Sequence, residues 1–126
     1  MAITLGTVQL HIMRVLWDEG EATARQITDA MSVTRPIAHS TVQTLLRQLA
    51  AKKAVTHEKR DRTFVFRPLA AEAEVSRSAA HDLLSRMFQG SISGLVAHLL
   101  DNESVPPDEL ARLRVLVDAK SKETRP

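Results

Sequence analysis

Ser40-Thr41-Val42-Gln43-Thr44-Leu45-Leu46-Arg47-Gln48-Leu49, residues 40–49, is the stretch from which the rest of the chain is read. Val42, Leu45, Leu46 and Leu49 fall at i, i+3, i+4 and i+7, the single apolar stripe of an amphipathic helix. Ser40 stands three residues before Gln43, the spacing of a capping box, which predicts the helix start at Ser40. At about 100° per residue the opposite face collects Ser40, Thr44, Arg47 and Ala51, with Gln43 and Gln48 on its flanks. That face is short and polar and carries one formal charge.

Upstream, Leu5, Val8, Ile12, Val15 and Leu16 recur at helical spacing, predicting a first helix from Thr7 to Asp18 closed by Gly20. Thr23 and Gln26 form a second capping-box pair, opening a short helix with Ile27, Ala30 and Met31 inward. Thr34-Arg35-Pro36 ends it, because the residue before proline is pushed out of the helical region. Downstream, Val55–Lys59 and Thr63–Arg67 read as strands around a charged turn, Arg60-Asp61-Arg62. Thr63, Phe64, Val65 and Phe66 are strand formers, and Pro68 stops the run. Three helices followed by a hairpin give the winged helix-turn-helix layout, with Ile12, Leu16, Ile27, Leu45, Leu49 and Phe64 as its expected core.

From Ala71 the pattern is wholly helical. Val75, Ala79, Leu83, Met87 and Phe88 mark a fourth helix ending at Gly90, and Ile92, Leu95, Val96 and Leu99 a fifth. Pro106-Pro107 opens a sixth, with Leu110, Leu113, Leu116 and Val117 as its stripe and a polar, frayed tail after Lys120. The expected fold is mainly α with a small β-hairpin: a winged-helix DNA-binding domain over 1–70 and a helical dimerisation domain over 71–126. Fewer than sixty residues bury little core for a domain standing alone, so Leu83, Met87, Phe88, Ile92, Leu95, Val96, Leu99, Leu113, Leu116 and Val117 are expected to pair two copies, the alternative being a monomer whose late helices fold back on the winged helix.

The 126-residue chain has a net charge of +2, but unevenly divided. Met1 to Ala70 holds ten Lys/Arg and six Asp/Glu; Ala71 to Pro126 holds seven and nine. A basic module joined to a mildly acidic one fits a polyanion-binding module carrying a second module, and equally a solvated surface with random charge clustering. There is no cysteine, so disulfides and thiolate metal sites are excluded. The N-terminus lacks a signal-peptide pattern and no apolar run is long enough to span a bilayer, so the expected location is the cytoplasm, without membrane insertion.

Catalysis finds little support. His11, His39, His57, His81 and His98 form no pair at i, i+3 or i+4, and there is neither a glycine-rich phosphate loop nor a nucleophile elbow. No catalytic residue, cofactor or metal is therefore expected. DNA binding fits better. Gln43, Thr44 and Arg47 are placed to read bases, an amide suiting adenine and a guanidinium guanine. Ser40, Thr41, Lys52, Lys53, Lys59, Arg60 and Arg62 are placed to hold the phosphate backbone. Taken singly, a polar helix face is an ordinary surface and a charged hairpin an edge guarded against aggregation. Their order and spacing favour duplex DNA. Two other readings stay open: a winged helix that binds an acidic protein partner, and a hydrolase with a scattered site.

These residues also resemble the BlaI/MecI/CopY family, the penicillinase-repressor type of bacterial regulator. The resemblance rests on Leu16-Trp17, on Thr41 to Leu49, on Lys52-Lys53, on the hairpin segment Thr63 to Pro68, and on Arg86-Met87-Phe88-Gln89-Gly90-Ser91. It implies a homodimeric repressor that binds a palindromic operator in the major groove, and a membrane sensor-protease as a further partner. The chain departs from the family pattern in four places. It has no cysteine for a copper-responsive cluster, and Ala54 stands where a glycine usually follows the lysines. Arg60-Asp61-Arg62 replaces a glycine-containing hairpin tip, and Ala97-His98-Leu99 replaces the Asn-Phe pair that related repressors offer to the protease. Asp tolerates the left-handed conformation, so the turn survives the loss of glycine.

Overall fold

Helix α1 (Thr7–Glu19) follows Gly6 and ends at Gly20, whose φ of 82° lets its N–H reach back to Leu16 O at 2.8 Å. The structure is a computed structural model and describes residues 3–125. Strand β1 (Ala22–Thr23) follows, then α2 (Ala24–Ser32), α3 (His39–Ala51), β2 (Val55–Arg60), β3 (Thr63–Pro68), α4 (Glu72–Phe88), α5 (Ile92–Asn102) and α6 (Pro107–Thr124). The architecture is the expected one: mostly helical, with three helices and a hairpin in the order of a winged helix.

The core is aliphatic. Ile12, Met13 and Leu16 of α1 meet Ile27 of α2 and Val42, Leu46 and Leu49 of α3, all buried. Leu45, expected in this core, is half-buried at its edge. On α2 the inward set is Ile27 and Thr28, with Met31 partly buried against the core; Ala30 is exposed. Thr28 is accepted because its hydroxyl donates to Ala24 O at 2.8 Å and so leaves no unsatisfied group.

The sheet has three strands rather than two, in the antiparallel order β1-β3-β2. A two-residue β1 is too short to show as alternation. It pairs Ala22 with Phe66 and Thr23 with Val65, and it runs directly into the Thr23 capping box, where Gln26 N–H reaches Thr23 Oγ1 at 3.1 Å and Thr23 N–H reaches Gln26 Oε1 at 2.9 Å. In the hairpin Arg60 pairs with Thr63, so the turn is Asp61-Arg62 alone. Both residues have positive φ, 48° and 70°, as a type I′ turn requires.

Phe64 is not a core residue: it is 50% exposed. The register opposes His57 to Phe66 and Lys59 to Phe64, so the two phenylalanines share a face. Phe66, nearer the base of the hairpin, packs on the core. Phe64 lies two residues, roughly 7 Å, further toward the tip, where it lines an open groove facing α3 instead of the closed core. The start of α3 also differs from expectation. Its N-cap is Ala38, without a side-chain cap, and Ser40 lies inside the first turn. His39 Nδ1 lies 3.0 Å from Thr28 Oγ1. That hydroxyl already donates to Ala24, so His39 Nδ1–H is the donor, and the bond secures the helix start in place of a cap.

Two compact units divide the chain, Met1–Asp82 and Leu83–Pro126, so the division falls inside α4 rather than at 70/71. The first unit extends that far because Ala70 and Val75 are buried in its core and Trp17 Nε1 donates to Ala70 O at 2.8 Å. In the second unit, Ser91 caps α5 by accepting from Gly94 N–H at 2.9 Å, and Phe88 meets His98 edge-on with 5.6 Å between ring centres. Pro107 opens α6, which continues to Thr124 rather than fraying after Lys120. Arg112 pairs with Asp108 and Glu109, and Lys120 with Glu123, one turn away on the same helix. No described residue of this unit is buried.

A chain ended after Asp82 should therefore unfold cooperatively, close to the first transition of the full chain. One ended after Pro68 loses Ala70, Val75 and the acceptor of Trp17. It should be less stable by about 2–5 kcal/mol, the scale of losing one large core side chain. Urea unfolding of the two fragments, followed by circular dichroism, checks this; equal midpoints would refute it.

Candidate nucleic-acid interface

The apolar stripe of α3 points into the core, so Gln43, Thr44 and Arg47 point out, and all three are exposed. Thr44 Oγ1 donates to Ser40 O at 3.0 Å, and Arg47 Nη2 donates to Thr44 Oγ1 at 3.2 Å. The guanidinium thus lies along the helix face, with its remaining donors free for a ligand. Ser40 and Thr41 are exposed in the first turn, where backbone amides without helical acceptors favour an anion.

The cations expected to hold a phosphate backbone divide into two groups. Lys52 turns inward: its Nζ donates to Thr4 O at 2.7 Å and to Gln9 Oε1 at 2.8 Å. Gln9 is buried, also accepts from Gly6 N–H at 2.9 Å, and donates from Nε2 to Gln48 Oε1 at 3.0 Å. Lys52 therefore ties the segment before α1 to the end of α3. Arg60 is held as well. Its Nη1 lies 2.5 Å from Glu21 Oε2, and its Nη2 pairs with Glu58. Arg67 Nη1 stands 3.6 Å from the same Glu58 carboxylate. The hydrogen bond from Arg60 holds the Glu21 carboxyl below its ordinary range. A carboxyl depressed on folding keeps its contribution above its unfolded value and loses it only as acid titrates the folded form. The clasp between the α1–β1 loop and the hairpin thus persists at neutral pH.

Lys53, Lys59 and Arg62 remain exposed. Arg62 sits in the hairpin turn and Lys59 faces Phe64 across the ladder. Lys53 has φ 64°. Its N–H bonds Ala50 O at 3.0 Å while Ala54 N–H bonds Leu49 O at 2.9 Å, the paired bonds of a Schellman cap. Ala54, which follows Lys53, is buried.

Sequence reading missed Arg25, exposed in the first turn of α2, and the groove that joins it to Arg47 and Arg62 between α3 and the hairpin. A cation just after a capping threonine was the available signal for Arg25. The groove has no local signature, since it arises from packing. Among the described residues no cluster of three His, Cys, Asp or Glu could hold a metal, and no helix is long and apolar enough to cross a membrane.

The chain is similar to several known proteins. A family model described as penicillinase repressor matches residues 5–119. The penicillinase repressor of Bacillus licheniformis is 26% identical over 114 residues, which cover 90% of this chain and 89% of the relative. The solution structure of the DNA-binding domain of the repressor BlaI covers 59% of this chain and 93% of its own, with 28% identity and a TM-score of 0.52. The Bacillus licheniformis BlaI monomeric form in complex with the blaP half-operator covers 59% of this chain and 90% of its own, with 27% identity and a TM-score of 0.51.

Lys53→Gly should stabilise the first unit by about 1 kcal/mol, because glycine adopts the left-handed region without the Cβ clash that lysine carries. Lys53→Ala keeps the Cβ and should bring no such gain. Urea midpoints of the two variants decide the point; an equal gain in both would remove backbone strain as the cause.

Proposed function

The chain belongs to the penicillinase repressor family, a family of transcriptional repressors rather than enzymes, and from that premise we propose a homodimeric repressor that reads a palindromic operator. The observation that carries the proposal is the outward face of α3, where Gln43, Thr44 and Arg47 stand together on a helix whose other side is locked into the core. An amide and a guanidinium at that spacing suit adenine and guanine edges in a major groove. Ser40, Thr41, Lys53, Lys59 and Arg62 hold the backbone in this reading. Lys52 and Arg60 act on the protein instead, by fixing the N-terminal segment and the hairpin. Their inward bonds support that division.

Pairing is supported by the second unit. Leu83, Met87, Ile92, Val96, Leu99, Leu116 and Val117 are all exposed, and Phe88, Leu95 and Leu113 are only half-buried. Met87 and Ile92 are 66% and 68% exposed. Apolar surface of this extent on one short unit marks an association surface. A second copy presenting the same stripes covers it and gives two half-site readers in one particle. Joined half-sites bind as an intramolecular event, typically with a gain of about 10²–10⁴ over one half-site alone.

Selection of bound sequences from random duplex should return a palindrome. Arg47→Ala should cost about 1–3 kcal/mol at the selected site and relax the preference at one base pair. Arg62→Ala should weaken selected and random duplex alike. An unchanged selected sequence for Arg47→Ala would put the wrong helix in the groove. An absence of duplex binding would point to a protein partner. Sedimentation at micromolar concentration should give a dimer for the full chain and a monomer for the chain ended after Asp82; a monomeric full chain would refute the pairing.

A further inference from the structure

The groove between α3 and the hairpin offers more apolar surface than a phosphate strand uses. Its volume is about 470 Å³, within the roughly 300–1,000 Å³ of small-molecule sites. His57, Phe64 and Phe66 line it from the hairpin; the His57 ring stands edge-on to Phe64 at 5.0 Å and tilted to Phe66 at 5.4 Å between centres. Leu46 and Ala50 line it from α3. Phe64 is 50% exposed there, an aromatic surface left open in a chain with few aromatics. Arg25, Arg47 and Arg62 line the same groove, and no carboxylate does. Neither Arg25 nor Arg62 has an ion-pair partner among the described residues.

These features select a ligand class. A neutral ring would leave three guanidiniums without a counter-charge. A bare anion would leave the His57–Phe64–Phe66 surface uncovered. A flat ring carrying a carboxylate uses both, through edge or offset aromatic contacts and a charge-assisted, bidentate pairing with arginine. We propose that the groove binds a small planar aromatic acid and that its occupancy excludes DNA from α3. Exclusion follows from shared groups, because Gln43 and Arg47 line the groove and are also the base readers of the function proposed above, on which this half of the inference rests. By linkage, a ligand bound only to the DNA-free form lowers the apparent affinity of each subunit for its half-site by about 100-fold when present at 100 times its own dissociation constant.

The test uses the full-length chain and 2-naphthoate as the probe, first without DNA. Calorimetric titration should show one site per chain. The neutral isostere 2-naphthamide should bind at least about tenfold more weakly, the loss expected from removing one charge-assisted pair. Phe64→Ser and Arg25→Gln, both at exposed positions, should each weaken 2-naphthoate binding by roughly tenfold while leaving the urea midpoint unchanged. In a second titration the apparent dissociation constant for the selected duplex should rise with 2-naphthoate, tending to the square of its concentration because both subunits must be emptied. The site is overturned if 2-naphthoate gives no binding at millimolar concentration, if the amide binds equally well, or if neither substitution affects binding, which would place the probe on the apolar helices after Leu83. The exclusion is overturned if saturating 2-naphthoate leaves duplex affinity unchanged. A chain that binds 2-naphthoate through Phe64 and Arg25 but binds no duplex upholds the site and refutes the repressor function.

Discussion

The seam between Val42, Leu46 and Leu49 on α3 and Ile12, Met13 and Leu16 on α1 sets the rotation of α3, and the direction of its outward face depends on that setting. All six side chains are essentially without solvent exposure. Burying a side chain of this size contributes about 1.5–3 kcal/mol. One residue of helical slip turns the stripe by about 100° and carries polar side chains into the core, where an unpaired polar group costs about 1–3 kcal/mol and a charge more. The directions of Gln43, Thr44 and Arg47 are therefore set by the packing of the opposite side of α3. The same seam explains why three ordinary polar residues can act together: their separation and direction are fixed before anything binds.

Polar ties then decide which cations are available. Lys52, Gln9, Gln48 and the Thr4 carbonyl form one network; Arg60, Glu21, Glu58 and Arg67 form another. Exposed ion pairs contribute little to stability singly. Here their effect is positional, because one network fastens the start of the chain to the end of α3 and the other fastens the hairpin to the loop before β1. What remains for a polyanion is a smaller set of cations than the charge count suggests.

Local pattern made the helices, the Thr23–Gln26 capping box and the hairpin legible, because each depends on residues within one or two turns of one another. The outward face of α3 was legible for the same reason. Features set by distant partners were not. Trp17 meets Ala70 across 53 positions, Arg60 meets Glu21 across 39, and Lys52 meets Thr4 across 48. Such pairs leave no periodicity, so Lys52 and Arg60 read as free cations. Ser40 read as a cap because its spacing to Gln43 is right, but the His39–Thr28 bond starts the helix one residue before it. Phe64 read as core because a phenylalanine in a strand usually is; the open groove between the hairpin and α3 leaves it exposed.

The two cations that backbone preference argues against bear most directly on function. Lys53 and Arg62 both stand at positive φ, 64° and 70°, where glycine is the residue of least cost. A side chain there carries a penalty of roughly 1–2 kcal/mol. Stability alone would favour glycine at both places, and a hairpin turn built for stability would read Asn-Gly. Neither side chain has an ion-pair partner among the described residues that would offset the cost within the fold. Strain held without an internal return is a reason to look for an external one. A polyanion supplies it: each lysine or arginine placed against a phosphate releases a condensed counterion, a gain that a glycine cannot provide. The strained turn after α3 and the strained turn of the hairpin thus fit the same proposal as the face of α3, and they do so through backbone geometry, independently of any side chain that reads a base.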